Sequence, residues 1–400
     1  MTKPKAFFTL RHLIATAFLF SISSCSTHRE KIFPAAASKK LDLVNSFVIK
    51  SFTDIQIQDY DALKNQYLAY ETGSKRILLL DKTGAIIQSK FLIGAGPDEV
   101  GQAISKISFA TEGNILVKSN KGISYLNNNL QLKKTHKLNI TGWPSSLSYL
   151  DEPLSASTIG SKLLILDTDL FRQPMRSYNE DFFSKLTLAS LYEVSSESIG
   201  LVSKTTFDEI QTIYNNEKIF FNDFIPILSS NKESSEFFMS LPNEPSVYKL
   251  DQPTGRWETY LENLNLDGFN EPKGIEFDQQ NKNLKPGFGI NDLEIVYGIS
   301  NPRMLKLFPG NKRFGILYRT GLPTSLLPKN SDKIYSIREK HQKIIFCLFE
   351  EGRKILSVEI ENMENHKNSI FINEDTLIFQ KKKVGNKESQ ETTFLIYSVS

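Results

Sequence analysis

Residues 76–140 read RILLLDKTGAIIQSKFLIGAGPDEVGQAISKISFATEGNILVKSNKGISYLNNNLQLKKTHKLNI. A short apolar run, Arg76 to Leu80, gives way to Asp81-Lys82-Thr83-Gly84 and then to Ala85-Ile86-Ile87. Asp at the start of a four-residue turn accepts backbone N–H groups, and Gly84 suits a position needing positive φ. The same design returns at Ile107 to Ala110, at Asn114 to Lys118 after Glu112-Gly113, and at Gly122 to Leu126. Asn127-Asn128-Asn129 then turns into Leu130-Gln131-Leu132. Runs of this length, separated by Gly, Asn and Asp, read as antiparallel strands joined by tight turns.

The pattern extends outward in both directions. Upstream lie Phe47-Val48-Ile49, Ile55-Gln56-Ile57 and Gln66 to Tyr70. Downstream lie Leu147 to Leu150 and Lys162 to Asp167. About residues 170–228 the regularity loosens; Thr206 to Asn215 reads as a short helix with Phe207, Ile210 and Ile213 on one side. Strands return at Glu236 to Leu241, Val247 to Asp251, Arg256 to Tyr260, Leu293 to Ile299 and Phe314 to Tyr318. The last clear unit is Lys333 to Arg338, Lys343 to Phe349 and Ile355 to Ile360, followed by Phe371 to Phe379 and Thr393 to Val399. The total is about twenty to twenty-four short strands and no long helix, which leaves a sandwich, a barrel or a propeller. Recurrence decides. The strand ends Leu80, Tyr125, Leu166 and Leu250 fall about one blade apart, the last after an insertion, and blade repeats run ~40–50 residues. The expected fold is all-β: a six-bladed β-propeller of four-stranded antiparallel blades, with roughly 60 residues per blade. Ring closure would pair Phe394 to Val399 with an N-terminal strand such as Phe47 to Lys50.

The first forty residues differ in character. Lys3, Lys5 and Arg11 precede the apolar run Leu13 to Phe20, which suits a signal leader and is too short to span a bilayer. Ile22-Ser23-Ser24-Cys25 resembles the lipobox of bacterial lipoproteins. That resemblance implies cleavage before Cys25 and acylation of Cys25, and Ser26 rather than Asp after it implies outer-membrane delivery. The expected organisation is a leader over 1–24, a polar tether over 25–40 and a propeller over 41–400. Net charge is +3 with both signs interspersed, so no basic stripe for nucleic acid is present. Beside Cys25 the sole cysteine is Cys347, in KIIFCLF, a buried small apolar residue by its setting. An exported fold without a disulfide must stand on its core, and 28 Phe and 14 Tyr supply one.

Gly94-Ala95-Gly96-Pro97-Asp98-Glu99-Val100 resembles the G-x-G-P-G-E-F inter-blade turn of a lipoprotein family of six-bladed, TolB-like β-propellers, several of unknown function. Gly94, Gly96, Pro97 and Glu99 match; Asp98 and Val100 stand where that family has Gly and Phe. Asn373 to Phe379 also resembles that family's last blade. As a phosphate loop the run fails: the third Gly of G-x-G-x-x-G is missing and Pro97 removes a needed N–H. It reads as the crossing from an outer strand to the next inner strand. Gly96→Val is expected to destabilise the fold if Gly96 holds positive φ. Glu99 either accepts N–H bonds from its own loop or points at the central channel.

Catalytic signatures are sparse. His136, His341 and His366 each have a Lys within two residues, which reads as solvated loops, and none has metal-ligand spacing. LDTD at 166–169 lacks the Gly and distal Glu of a calcium loop, and no G-x-S-x-G occurs. No metal or cofactor is expected. Trp143 and Trp257 are candidates for stacking on a ligand, with packing at a blade tip as the alternative. Two functions remain open. One is a non-catalytic binding or scaffolding module, anchored to the outer membrane through lipid on Cys25, for a protein, peptide or glycan. The other is a divalent-metal enzyme of the lactonase or glycan-lyase type, drawing on Glu99, Asn114, Asp167, Asn291 and Asp292. The anchor is testable at once: Cys25→Ala should move the protein from the detergent phase to the aqueous phase on phase partitioning, and a variant still in the detergent phase would count against lipidation.

Overall fold

The structure is a computed structural model, and it describes residues 39–400 apart from 52, 111–112, 139–153, 169–185, 196, 211, 213–217, 220–224, 253, 277–291, 330, 362–367 and 382–390. Cys25, Trp143, Asn291, His366 and the run 147–150 therefore lie outside the described residues, as does the side chain of Asp292.

The chain is a six-bladed propeller. Leu41–Lys50 (β1) comes first. Blade 1 is β2 (Ile55–Asp61), β3 (Gln66–Glu71), β4 (Arg76–Asp81) and β5 (Ile86–Phe91). Blade 2 is β6 (Ile104–Phe109), β7 (Ile115–Ser119), β8 (Gly122–Leu126) and β9 (Leu132–Lys137). Blade 3 is β10 (Ser155–Ile159), β11 (Lys162–Asp167), β12 (Thr187–Val194) and β13 (Ile199–Thr206). A small strand, β14 (Lys218–Ile219), precedes blade 4, which is β15 (Ile227–Asn231), β16 (Glu236–Ser240), β17 (Val247–Asp251) and β18 (Arg256–Leu261). Then come β19 (Ile275–Glu276), paired with β14, and helix α1 (Asp292–Ser300). Blade 5 is β20 (Arg303–Pro309), β21 (Arg313–Arg319), β22 (Ile344–Glu350) and β23 (Arg353–Glu359), with helix α2 (Ile334–His341) between β21 and β22. Blade 6 is β24 (Ile370–Asn373), β25 (Thr376–Gln380), β26 (Glu391–Val399) and, as its outer strand, β1 from the other end of the chain.

Closure follows the expected pairing. β1 and β26 run antiparallel from Leu41↔Val399 to Lys50↔Glu391, with Phe47 opposite Phe394. The two rings stack at 5.3 Å, and Phe47 also stacks on Tyr67 of blade 1 at 5.4 Å.

The continuous apolar runs have a simple cause: each blade is covered on both faces. In blade 1, Tyr67, Ala69, Leu78 and Leu80 pack toward blade 6, while Leu68, Tyr70, Ile77 and Leu79 pack toward blade 2. Successive side chains of a strand point to opposite faces, so burial on both demands apolar residues at every position. Six apolar clusters result, one between each pair of neighbours, and they run in a closed cycle. A seventh, around Val296, Leu322 and Ile334, lies under the two helices.

Four elements differ from expectation. Leu293–Ile299 and Lys333–Arg338, read as strands, lie in α1 and α2. Their Ile295, Val296 and Ile299, and Ile334 and Ile337, fall at helical spacing around one small core. Leu166 ends the second strand of blade 3, not the third as Leu80 does in blade 1, because a long connection separates β11 from β12. Of the expected Thr206–Asn215 helix the described residues show a 3₁₀ turn, Phe207–Glu209; 211 and 213–215 lie outside them.

At one end of the axis a polar belt joins the blades. Asp59 accepts from Ser108 Oγ (2.8 Å) and Phe109 N (2.7 Å) of blade 2, and pairs with Lys232 from blade 4 across the axis. Ser235 Oγ donates to Thr158 O (2.6 Å) and Asn231 Nδ2 to Asn311 Oδ1 (2.9 Å). Closure itself is the point to test. Phe394→Ala removes a fully buried ring from the closing strand and should cost about 3–5 kcal/mol, visible as a marked fall in the denaturant midpoint; an unchanged midpoint would mean the ring does not depend on this strand.

Candidate functional site

Strand direction sorts the connections onto two faces. Turns between first and second and between third and fourth strands lie on one face and are short: 62–65, 82–85, 160–161, 232–235, 310–312 and 351–352. Connections between second and third strands, and between blades, lie on the other. These include 92–103, and the connections that leave after β11, β18 and β21 start and end there as well. Function in such folds gathers where long loops meet over a rigid frame.

The inter-blade turn 94–101 is the sharpest of these connections. It joins the outer strand β5 to the inner strand β6, as its sequence indicates. Gly94 N–H donates to Gly101 O (2.8 Å) and Val100 N–H to Leu92 O (2.9 Å). Lys121 Nζ donates to Gly96 O (3.3 Å) and Glu99 O (3.1 Å), and Asn120 Oδ1 accepts from Gln102 N at 2.8 Å. The Glu99 carboxylate accepts the N–H of Gly96, so of its two expected roles it takes the one within its own loop. Gly94 (φ 156°) and Gly101 (φ 132°) hold positive φ in this turn; Gly96 does not. A Cβ on Gly94 would sit 2.0 Å from Glu99 Oε2. The turn is thus filled by its own carboxylate, with no cradle left for a phosphate.

The other singled-out residues do not converge. Asp167, 1 % exposed, is neutralised by Lys118 Nζ at 2.5 Å. Asn114 lies at the start of β7, on the short-turn face, whereas Glu99 and Asp167 lie on the opposite one. Among the described residues no three of His, Cys, Asp and Glu come together as a metal site. Trp257 is 7 % exposed and packs between blades 3 and 4, its Nε1 donating to Thr205 Oγ1 at 2.7 Å. It belongs to the core and offers no stacking face. His136 also departs from its expected solvated loop: it is buried on β9, where burial and the neighbouring Lys134 hold its pKa down. Lys134 and Lys137 are exposed while His136 is not, so Lys neighbours in sequence did not imply solvent. Cys347 is buried on β22 as expected, and burial pushes its thiol up.

A cleft that the motifs did not single out opens on the long-connection face beside blade 5. Its volume is about 530 Å³, and Asn270, Glu271, Lys273, Tyr297, Asn301 and Thr324 are among its lining residues. Helix α1 ends against it: Asn301 N–H donates to Tyr297 O (3.0 Å) and Leu322 N–H to Ser300 O (2.8 Å). Gln342 Nε2 donates to the orphan carbonyls of Ile299 (3.1 Å) and Ser300 (3.2 Å), satisfying a helix end as required. The Asn301 amide grips the backbone of Lys273 from both sides, accepting from its N (2.7 Å) and donating to its O (2.8 Å). This fixes where the Lys273 side chain starts. Its ammonium is half-buried, and desolvation lowers its pKa from the ordinary lysine value. No carboxylate pairs with it among the described residues. Glu271 lines the same cleft without an ion pair to Lys273, and a cation at a partly dry wall that is unpaired among the described residues favours a ligand that brings a negative charge. The sequence signal was faint: NEPKG at 270–274 sits in a polar stretch without period.

No family model matches the sequence, and no curated protein matches it either. Solved structures do match in fold. A member of the DUF4221 family from Bacteroides vulgatus aligns over 91% of this chain and 99% of its own, at 10% identity and TM-score 0.62. A Bacteroides fragilis protein described as exported aligns over 91% of this chain and 96% of its own, at 10% identity and TM-score 0.50. At such identity the likeness is one of fold. Gly94→Ala should destabilise by about 1–3 kcal/mol, and more than Gly96→Ala does; equal melting temperatures for the two variants would show that the strained position has been misplaced.

Proposed function

We infer that this propeller is a non-catalytic recognition module, held on the outer membrane by lipid on Cys25, which binds a protein, peptide or glycan carrying an anionic group. The observation that carries the reading is the cleft around Lys273: a bounded volume, a backbone pinned by Asn301, and a half-buried ammonium without a partner among the described residues. Clefts of several hundred Å³ with a few fixed polar groups are the usual form of binding sites. The tether supports it by position. Lys40 and Ser400 exchange backbone hydrogen bonds (3.3 and 3.0 Å) where β1 begins and β26 ends, on the short-turn face. Residue 40 thus leaves the propeller on the short-turn face, and the cleft opens on the other. The metal-enzyme alternative has no such support: Glu99 is spent on its own loop and Asp167 on Lys118.

An array of peptides and glycans probed with the mature protein tests this. Bound members should carry carboxylate, phosphate or sulfate groups, and Lys273→Met should weaken them by about tenfold, the loss of one charge-assisted hydrogen bond. Binding confined to neutral members, or unaffected by Lys273→Met, would refute it.

A further inference from the structure

We propose that the Lys273 cleft and the basic connection that carries α2 form one binding track for an acidic polysaccharide, whose repeated carboxylate or sulfate groups meet Lys273 in the cleft and Lys329, Lys333 and Lys340 outside it. The inference rests on the anion-binding reading of the cleft and adds to it the extent and class of the ligand.

The connection between β21 and β22 begins as a wall of the cleft, through Gly321, Leu322 and Thr324. It comes back to the cleft at its other end, where Gln342 Nε2 bonds the carbonyls of Ile299 and Ser300, and Ser300 is itself a lining residue. The segment that carries α2 is therefore held beside the cleft at both ends. α1 and α2 also share the core of Val296, Leu322 and Ile334, which lays α2 against the helix that supplies Tyr297 to the cleft. Ile334 and Ile337 turn one side of α2 into that core, and Tyr335, Glu339 and Lys340 are left in solvent.

This connection is basic. Between residues 320 and 343 stand Lys329, Lys333, Arg338, Lys340 and Lys343, against Asp332 and Glu339. Lys343 pairs with Glu359 at 2.6 Å, and the Arg338 guanidinium lies 5.6 Å from the centroid of the Tyr335 ring. Lys329, Lys333 and Lys340 are exposed, and none has an ion pair among the described residues. Cations in the last turn of a helix answer its macrodipole, which accounts for Arg338 and Lys340. Lys329 and Lys333 precede α2, where the dipole presents its positive end, so helix stability does not account for them. Glu271 lines the cleft with Lys273, so a single anion seated there meets repulsion as well as attraction. A chain of anions gains at Lys273 and again at each cation of the neighbouring connection, and several weak exposed pairs add up where one would not.

The uncharged groups say what carries those anions. Asn270, Tyr297 and Thr324 bring an amide, a phenol and a hydroxyl to the cleft, and all three bond sugar hydroxyls as donor or acceptor. Tyr335, 58% exposed, adds a flat ring with a polar tip beside the cations, a surface suited to the apolar face of a sugar. An extended acidic peptide would seek an open strand edge, and β21 and β22, which flank the connection, are each paired on both edges.

The test titrates the polypeptide beginning at Ser26, which keeps every strand of the ring, with polygalacturonate, dextran sulfate, neutral dextran and polyglutamate. At least one of the two acidic polysaccharides should bind, polygalacturonate pointing to carboxylate and dextran sulfate to sulfate, with an affinity that falls as salt rises. Lys273→Met should weaken it, and K329Q/K333Q/K340Q should weaken it by about tenfold, the worth of three exposed ion pairs together. K82Q/K133Q/K137Q, which removes the same charge from exposed positions on blades 1 and 2, should match the parent. Loss with Lys273→Met but none with K329Q/K333Q/K340Q would overturn the track while leaving the cleft as an anion site. No effect of Lys273→Met would overturn the reading of the cleft and the track with it. Binding of neither acidic polysaccharide, equal binding of neutral dextran or of polyglutamate, or an equal loss with K82Q/K133Q/K137Q would each overturn the proposal.

Discussion

Everything in this fold depends on each blade being covered on both sides. A single blade has two apolar faces and can bury neither alone. In a row of six, the first and last blades would each leave one face wet. The cluster of Phe47, Ile49, Ile55, Ile57, Tyr67, Ile378 and Phe394 is the one that an open row lacks, and it forms because β1 completes blade 6. The closing ladder therefore does two jobs: it supplies a fourth strand and it brings blade 6 onto blade 1. With no disulfide among the described residues, that ladder and the six clusters hold the ring.

The same geometry divides the surface. Short turns leave one face nothing to vary, and there the Asp59–Lys232 pair and its neighbours tie blades across the axis. The opposite face receives every long connection, two helices with their own small core, and the cleft at Lys273. Inner strands carry polar residues for a related reason. Ser230 Oγ donates to Ala156 O (3.1 Å) and Ser229 Oγ to Leu307 O (3.2 Å), so serines near the axis bind one blade to the next. An apolar side chain there could not satisfy those carbonyls.

That arrangement explains what was legible in the sequence. The middle strands announce themselves: Ile77–Leu80 and Ile344–Phe349, within β4 and β22, are apolar throughout because both faces are covered. The closing pair was also readable, from matched aromatic and β-branched runs at the two ends. Inner strands were readable only in part: Ile55–Ile57 and Ile107–Ala110 stand out, others do not. Ser155–Ile159 and Ile227–Asn231 look like polar linkers, since their hydroxyls work sideways between blades. The helices were misread because seven or eight residues with several Ile and Leu do not distinguish the two periods. At the site, the Gly94–Glu99 turn could be placed from its glycines, but not which glycine carries the strain. Lys273 could not be found at all: its importance comes from Asn301, distant in sequence, and from a wall of the cleft built by another element.

One consequence of the β1–β26 pairing is mechanical. Force arriving along the chain from residue 40 pulls β1 lengthwise past β26, so the ladder from Leu41 to Lys50 is loaded in shear and its rungs share the strain. A strand peeled from its other end would give way one rung at a time. The outer position of β1, the weakest place in a blade for a sideways pull, is in this direction the strongest, and a pull on residue 40 is carried into the ring where it is sewn shut.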